Sequence, residues 1–596
     1  MPLMGSLYIG SSGLQTSQNA LNTTAHNLSN MDTVGYTRQQ VQQSSRSYNT
    51  LSIDVKSINN KQTGLGVNYS RVKHVRDYFL DKMYRRESGR SMFYQVSTEV
   101  MEEVQSQLGE MNGEAFQTTI TDFWTAVQEL AKDPASSVTQ GLLVQRAAEF
   151  IQRAEAVYEG LCAYQDNLNA QVKQQVDKIN SYGQKILALN DAIRKVEAGG
   201  VEKANDLRDT RDSILDELSQ MADINFGEDA SGAVWVQIEG MDFVKGEVSY
   251  EIGIYEDKAT GFYTPFWYQN ATYKTMDDGS REYNIDGAEV FDLTREISSD
   301  LNTDIGGLKA MLLARGDHRA DYTDIEKDYD SVSQSILMNI QAEFDQLIHV
   351  VATKVNSVLA EAAGVTTGNL TVDDGNGGTI TLQNVKYCTA DGNYMRKDDG
   401  SPIQMFAKSA TDGYRKVKLA ADVVDAQGNV VIKAGEECWV YNEEKPGSDT
   451  EAREDGSLYS IKNLQVDPEL MQKPSMLGFR LADGSEDKAT ANALKEAFTE
   501  EIYTLNPNVK KTSSFVDYYS DLVSQVANSG YQFRHIFTNQ ENTVEGITSA
   551  REQVVGVSSD EELSNMIKFQ NAYNASSRYI NVIDEMLEHI LSTLGA

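Results

Sequence analysis

Both ends of the chain carry apolar residues at helical spacing. Near the N-terminus a leucine recurs every seven residues, at Leu7, Leu14, Leu21 and Leu28. Near the C-terminus the apolar positions step by three and four places, with one gap, at Met566, Phe569, Tyr573, Ile580, Ile583, Leu587, Ile590 and Leu594. Each end is therefore predicted to be one long amphipathic helix with a narrow apolar seam, the pattern of a coiled-coil partner.

The middle of the chain alternates between two patterns. Residues 88–222, residues 305–363 and the chain from about residue 487 repeat apolar residues at helical spacing. Residues 224–298 and 365–475 are rich in β-branched and aromatic residues between glycine-containing turns, which indicates strands. The sequence therefore predicts an α+β multidomain protein in which two β-rich domains are inserted into a mainly helical chain.

These patterns divide the chain into four predicted domains. They are a coiled-coil-like inner domain of the terminal helices (1–40 with 556–596), a mainly helical bundle domain (41–223 with 299–364 and 476–555), a small β domain (224–298) and a β-rich outer insertion (365–475). Four domains fit a chain of 596 residues, since a domain averages about 150 residues.

Charge and cysteine content exclude several classes of protein. The formal net charge is −35, and nucleic acids and anionic membranes both demand a positive face, so neither is an expected partner. Cys162, Cys388 and Cys438 form no CxxC pattern, which leaves open only whether Cys388 and Cys438 pair. We expect neither a cleaved signal peptide nor a membrane span.

The sequence offers no pattern of catalytic or metal-binding residues. The six histidines form no HExxH, and neither GxSxG nor a P-loop occurs. The segment 373–377 (Asp-Asp-Gly-Asn-Gly) lacks the alternating ligands and closing Glu of a calcium loop, so a β-turn is the better interpretation. We therefore expect no enzymatic activity, no cofactor and no metal.

Two consecutive motifs near the N-terminus point to a family. After the leucine-spaced helix, residues 27–30 read Asn-Leu-Ser-Asn and residues 33–36 read Thr-Val-Gly-Tyr. This order resembles the signature of flagellar rod, hook and hook-associated proteins. Further segments are similar to the members at the junction of hook and filament: 62–67, 123–131, 133–137, 205–212 and 558–563. The resemblance covers residues 1 to about 225 and about 500 to 596, and we find none over 365–475.

The resemblance implies assembly through the terminal helices. Both helices then pack in the inner layer of a tube, and Asn27, Asn30, Gly35 and Tyr36 shape the turn after the first helix. The predicted assembly interface comprises Leu7, Leu14, Leu21, Leu28, Asn27, Asn30, Gly35, Tyr36, Phe569, Tyr573, Ile580, Ile583, Leu587, Ile590 and Leu594. Two helices alone bury too little to offset the entropy of ordering them, so we expect the ends to fold on assembly.

Partners and location follow from the same resemblance. The expected partners are further copies of this chain, the hook protein, a second junction protein or flagellin, and an export chaperone at the C-terminal helix. Such proteins leave the cell unfolded and uncleaved, so the expected location is the extracellular flagellum. Only Asp32, Arg38 and Arg46 are charged in the first fifty residues, which suits repeated contacts between identical copies because like charges would repel.

Three functions are compatible with the sequence. The first is a structural adaptor that joins hook to filament. The second is another axial subunit, of hook or rod, although the long helical stretch at 88–222 argues against it. The third is a surface-binding or enzymatic role in the 365–475 insertion, which activity of that segment alone would support.

Overall fold

The structure is a computed structural model. It describes residues 3–33, 35–53, 60–109, 116–199, 203–277, 279–373, 378–390, 394–424, 430–445, 455–481 and 483–594. Val34, Gly200 and the predicted turn at 374–377 lie outside the described residues.

Helices dominate the described chain. They are α1 (Leu3–Ser29), α2 (Tyr78–Gln107), α3 (Phe116–Lys132), α4 (Ser137–Glu197), α5 (Asn205–Met221), α6 (Gly307–Arg315), α7 (Tyr322–Ser333), α8 (Ile336–Ala362), α9 (Pro468–Gln472), α10 (Lys488–Thr499), α11 (Phe515–Val555) and α12 (Ser559–Leu594). The longest helix, α4, has 61 residues and contains no proline. The Ser136 hydroxyl caps its first turn by accepting from the Val138 N–H.

Strands form antiparallel pairs and small sheets. They are β1 (Gln39–Ser45), β2 (Asn49–Ile53), β3 (Asn60–Thr63), β4 (Val67–His74), β5 (Ile224–Glu228), β6 (Val234–Ile238), β7 (Met241–Lys245), β8 (Val248–Ser249), β9 (Ile252–Glu256), β10 (Tyr263–Trp267), β11 (Thr272–Thr275), β12 (Arg281–Asn284), β13 (Thr366–Asp373), β14 (Thr379–Thr389), β15 (Phe406–Lys408), β16 (Tyr414–Lys418), β17 (Val423–Val424), β18 (Val430–Ile432), β19 (Glu437–Tyr441) and β20 (Leu464–Val466). The two largest sheets have the orders β5-β6-β7-β8 and β13-β14-β19-β16.

The largest hydrophobic core lies among α2, α3, the first half of α4, α8, α10 and α11. Aromatic rings interlock at its centre, with Phe123 stacked on Phe150 at 5.5 Å between centroids and edge-on to Phe498 at 5.1 Å. Phe116 meets Tyr519 edge-on at 4.9 Å, which ties α3 to α11 although the two residues are far apart in sequence. We call this region the helical body.

A second core joins the small β domain to the helices. It contains the second half of α4, α5, α6 and strands β5, β6, β7, β9 and β10. Side chains of β6 alternate between buried and half-buried, since successive residues point to opposite faces of a strand. The described chain is thus a mixed helix-and-strand multidomain protein with a long C-terminal helix, and this part of the prediction is confirmed.

The inserted sheet β13-β14-β19-β16 has its own small core and holds two cysteines. Cys388 lies opposite Trp439, and Cys438 lies opposite Thr389. Opposite residues share a face of the sheet and neighbours alternate, so the two thiols point to opposite faces. All three cysteines are free and buried.

Two parts of the structure differ from the sequence prediction. Residues 39–74 contain strands β1 to β4, in a segment that the sequence analysis assigned to the mainly helical domain. Strand β1 is composed mostly of polar residues such as Gln39, Gln40 and Gln42, so it lacks the alternation of apolar and polar residues that predicts a strand. The helical signal from residue 487 is also interrupted, because non-helical chain separates α10 from α11.

Candidate assembly interface

The two terminal helices pack against each other. Gly10 approaches Ile580, and Gly13 approaches Ser576 further along α1, so the helices run antiparallel. A Cβ atom on Gly10 would lie 2.7 Å from Ile580 Cγ1, and one on Gly13 would lie 2.8 Å from Ser576 Oγ. Glycine therefore permits a backbone approach that a larger residue would prevent without local movement.

Small and polar residues continue this face of α1. Ser17, Ala20, Thr24 and Asn27 follow Gly13 at spacings of three and four, which places them on one side of the helix. All four are buried. The buried stripe of α1 is therefore formed by small side chains, and the sequence signal for it is this spacing.

The predicted seam residues lie beside that stripe. Leu7, Leu14, Leu21 and Leu28 are half-buried. On α12, Ile583 is buried, Ile590 is exposed, and the remaining predicted residues with described side chains are half-buried: Phe569, Tyr573, Ile580 and Leu587. The Leu594 side chain lies outside the described set. One partner helix thus covers only part of each seam.

Further apolar side chains on α12 are exposed: Leu563, Ile567, Tyr579, Val582, Met586 and Leu591. Tyr579, Val582 and Met586, together with Ile590, recur at spacings of three and four and so form a row along one side of the helix. Met586 is 51% exposed and Leu591 is 72% exposed. Soluble monomers rarely expose contiguous apolar surface, so such a row marks a contact surface.

The turn after α1 is held by Asn27. Its side-chain amide donates to the Gln39 carbonyl at 2.8 Å, and its Oδ1 accepts from the Gln39 N–H and the Tyr36 hydroxyl. Gly35 has φ of 80°, a conformation that favours glycine. Asn30 contributes at the helix end, where its amide donates to the His26 carbonyl. These four predicted residues do shape the turn, although their role in assembly stays a prediction.

Arg38 connects this turn to the start of α12. Its N–H donates to the Val555 carbonyl at 2.9 Å, just before the connection to α12. Its guanidinium lies 2.9 Å from both Glu561 and Glu562, in the first turn of that helix. Carboxylates are favourable at a helix N-terminus, and here they also bind the opposite end of the chain.

An acidic face of α5 receives the turn. Asp206, Asp209, Asp212 and Asp216 are spaced three or four residues apart and therefore share one side of the helix. Asp209 accepts the Thr37 N–H at 3.1 Å, and Asp206 accepts the Gln39 side-chain amide at 3.0 Å. Burial and then the nearby Asp206 and Asp209 raise the pKa of Tyr36, which therefore stays protonated and donates.

Three arginines and three aspartates form a closed ring beside this turn. The contacts run from Arg551 to Asp81, Arg76, Asp212, Arg85, Asp216 and back to Arg551, at 2.8, 2.8, 2.6, 3.3, 2.7 and 2.7 Å. We call this set the arginine–aspartate ring. Arg85 is 2% exposed and its guanidinium also covers the Phe226 ring at 4.3 Å. Burial disfavours the charge on Arg76, but Asp212 and Asp81 outweigh it and raise the Arg76 pKa.

Only part of this site is predictable from the sequence. Residues 205–212 resemble a family motif, but nothing in that segment assigns a role to its aspartates. Their partners Arg76, Arg85 and Arg551 lie far away in sequence, so no local pattern could join them. Among the described residues, no group of three or more His, Cys, Asp or Glu side chains is placed to hold a metal ion. Within the same residues, no helix is long and apolar enough to cross a membrane.

Three family models match the chain. The description "Flagellar hook-associated protein FlgK helical domain" matches residues 101–373. "Flagella basal body rod protein" matches residues 7–37, and "Flagellar basal body rod FlgEFG protein C-terminal" matches residues 553–593. The last two matches coincide with α1 and its turn and with α12.

Known proteins match over nearly the whole chain. A flagellar hook-associated protein 1 of Bacillus subtilis is 24% identical over 98% of this chain and 96% of the relative. Those of Escherichia coli and Salmonella typhimurium are each 22% identical over 98% of both chains. The solved flagellar hook junction protein FlgK from Burkholderia pseudomallei is 14% identical, covers 79% of this chain and all of that one, and gives a TM-score of 0.48.

The class of the protein follows from the terminal helices together with these matches. The chain is a structural subunit of the axial part of the bacterial flagellum, as the sequence analysis predicted. Its sequence is similar to flagellar rod and hook-associated proteins through the three matched models, and to hook-associated proteins 1 over 98% of the chain.

Proposed function

We propose that the chain is the adaptor that joins the flagellar hook to the filament. The similarity to hook-associated proteins 1 spans 98% of the chain, inserted region included. That extent favours the junction role over a hook or rod subunit. It also favours a structural role over an enzymatic one.

The observation that carries this proposal is the exposed apolar row on α12. Each buried Leu, Ile or Met stabilises a contact by roughly 1.5–3 kcal/mol, and α1 leaves several such residues uncovered. Further copies of the chain would cover them in a ring or helical array. On this proposal residues 1–40 and 556–596 form the inner domain, the three middle segments form the bundle, and the β13-β14-β19-β16 sheet of 365–475 faces outward. Strands β15 and β20 of the same insertion pack in the core of the helical body.

The proposed partners and location follow from that arrangement. One rim of the array contacts the hook protein, and the other contacts a second junction protein or flagellin. The chain is exported unfolded without cleavage of a signal peptide, and a chaperone covers α12 before export. Covering an exposed apolar helix before assembly prevents premature association of the copies.

Deletion of the gene tests the junction role. We expect intact hooks, no filaments and flagellin shed into the medium. Missing hooks would instead indicate a hook or rod subunit. Normal swimming would contradict a structural role altogether and direct attention to the 365–475 insertion.

Variants returned to the deletion strain test the contact surface itself. Met586→Glu places a charge in the exposed apolar row, and we expect export with few or no filaments. Glu588→Gln changes an exposed polar residue on the same helix and serves as the matched control. Wild-type filament numbers with Met586→Glu would remove α12 from the interface.

A further inference from the structure

The arginine–aspartate ring joins three separate parts of the chain. Arg551 lies near the end of α11 and so belongs to the C-terminal arm, which we define as residues 544–594. Arg76 follows β4 and belongs to the N-terminal arm, the described part of residues 3–76. Asp212 and Asp216 lie on α5, which is anchored in the second core through Leu215 and Leu218.

The connectivity of the ring makes the two arms depend on each other. Asp81 accepts from Arg76 of one arm and from Arg551 of the other, at 2.8 Å in each case. Asp216 likewise binds Arg551 and Arg85. Every carboxylate has two arginine partners, so removal of one arginine leaves no aspartate unpaired and the fold is expected to persist.

Short segments of chain connect the arginine–aspartate ring to the two terminal helices. Val555 lies one helical turn after Arg551, and its carbonyl accepts the Arg38 N–H. Arg38 in turn binds Glu562, which is buried at the start of α12. On the other side, β4 pairs with β1, and β1 begins directly after Arg38. The ring and Arg38 are thus two connected fixed points for both arms.

We propose that Arg551 is a positioning residue that couples the two arms, so that neither terminal helix takes its assembly-ready pose independently of the other. The ring has three positive and three negative members and is largely withdrawn from water, where charge-assisted hydrogen bonds are strong. Because Arg76 and Arg551 share Asp81 and are both tied to α5, the ring fixes the two arms on one support, in addition to their direct contacts, and so sets the pose of α1 and α12 together. The coupling itself is independent of function, and its consequence for assembly rests on the proposed function.

Hydrogen exchange on the purified full chain tests the coupling. In the wild-type protein the Thr37, Arg38 and Gln39 N–H groups are bonded to Asp209, Val555 and Asn27, so they are expected to exchange slowly. Arg551→Met, on the opposite arm, should accelerate their exchange by at least about tenfold, because the variant loses its contacts to both Asp81 and Asp216 and the loss of one such contact already corresponds to that factor. Arg551→Lys keeps the charge without the forked geometry and should give an intermediate rate.

The control is Arg534→Met on the same helix. Arg534 pairs with Glu102 at an exposed position outside the ring, so its loss should leave exchange at residues 36–46 unchanged. Exchange in α3 should be unchanged in every variant, which excludes general unfolding. Arg76→Met should accelerate exchange at 550–555, and the double variant with Arg551→Met should show less than the product of the two effects.

Three results would overturn the proposal. Acceleration by Arg551→Met confined to the C-terminal arm would mean that the arms are independent. Absence of protection at residues 36–39 in the wild-type chain would mean that the ring holds nothing before assembly. Coupled exchange with wild-type filament numbers in cells carrying Arg551→Met would contradict the positioning role. Failure of the proposed function shows elsewhere, as normal filaments in the deletion strain.

Discussion

The helical body and the pair of terminal helices share the same helical periodicity, but they differ in how completely their apolar side chains are buried. In the body, large apolar residues such as Phe116, Phe123 and Phe344 are completely buried and touch partners from several helices. In the terminal pair, the leucines of α1 are half-buried and several large residues of α12 are exposed. The body satisfies its apolar surface within one chain, whereas the terminal pair does not.

This difference shows that a seam of leucines alone does not decide whether a helix is stable by itself. A buried core residue gains contacts on all sides, while a residue between two helices gains them on one. The terminal pair adds close backbone contacts at Gly10 and Gly13 and polar contacts at Asn27. Those contacts specify how the helices pair, but they leave surface for further copies.

The largest expected effect is a cavity in the body. Phe123→Ala removes a fully buried ring that contacts Phe150 and Phe498, and it should lower the free energy of unfolding by about 3–5 kcal/mol. Urea denaturation followed by circular dichroism measures it. Leu14→Ala in α1 is the matched arm variant and should cost the free monomer under about 1 kcal/mol. Equal costs would contradict the contrast between the two regions.

Overpacking of the buried stripe of α1 is the next largest effect. Ala20 is fully buried, so the larger side chain of Ala20→Leu should overpack the stripe. We expect this overpacking to destabilise the packing of α1 by about 1–3 kcal/mol. The measurement is the number of filaments restored by the variant in the deletion strain, and we expect a strong reduction. Ala25→Leu adds the same bulk at an exposed position of the same helix and should restore filaments normally. Full restoration by both variants would show that the stripe does not pack against α12.

A smaller effect concerns two buried carboxyls of the body. Burial raises the pKa of Asp345 and of Glu343 to about 7, although each accepts hydrogen bonds. In the unfolded chain the pKa of each of these carboxyls is about 4. The folded state therefore favours their protonated forms, and this contribution to stability is present below about pH 4 and is lost as the pH rises through about 7.

The unfolding free energy of the body should accordingly fall between about pH 4 and pH 7 through these groups, by up to about 1.4 kcal/mol per pH unit for each carboxyl. Asp345→Asn should reduce that slope, measured by urea denaturation at each pH. Asp330→Asn, at an exposed position of α7, should keep the wild-type slope. An unchanged slope in Asp345→Asn would mean that the carboxyl is already ionised across this range.

The smallest effect should come from the exposed pair of Arg534 and Glu102. Arg534→Met should leave the urea midpoint within error of the wild type, because solvent-exposed ion pairs contribute little. Arg551 lies on the same helix as Arg534 but belongs to the buried arginine–aspartate ring. Arg551→Met should therefore lower the urea midpoint measurably. A larger shift with Arg534→Met would reverse the order of importance that burial predicts.

Much of the fold is predictable from the periodicity of apolar residues. Helices α1, α4, α8 and α12 and the alternation of β6 follow from apolar spacing, because that spacing reports which face is buried. The strands at 39–74 escaped it because Gln and Ser dominate β1. Asn27, Gly35 and Tyr36 were identified as turn residues from the motif, and their hydrogen bonds agree with that role.

Long-range partners could not be read in the same way. Nothing near Arg551 indicates that Asp81 and Asp216 will surround it, since that proximity depends on how α2, α5 and α11 cross. The buried stripe of Gly13, Ser17 and Ala20 was masked by the neighbouring leucines, which dominate any hydrophobicity pattern. Tertiary contacts and small residues are therefore what the sequence analysis missed.

Hydrogen exchange of the free chain and of assembled flagella would test the contrast between body and terminal helices most directly. We expect residues 3–20 and 566–594 to exchange rapidly in the free chain and to become protected on assembly. Helices α3 and α8 of the body should be protected in both. Equal and strong protection of the terminal helices in the free chain would show that the pair is complete without partners, and would contradict assembly-coupled folding.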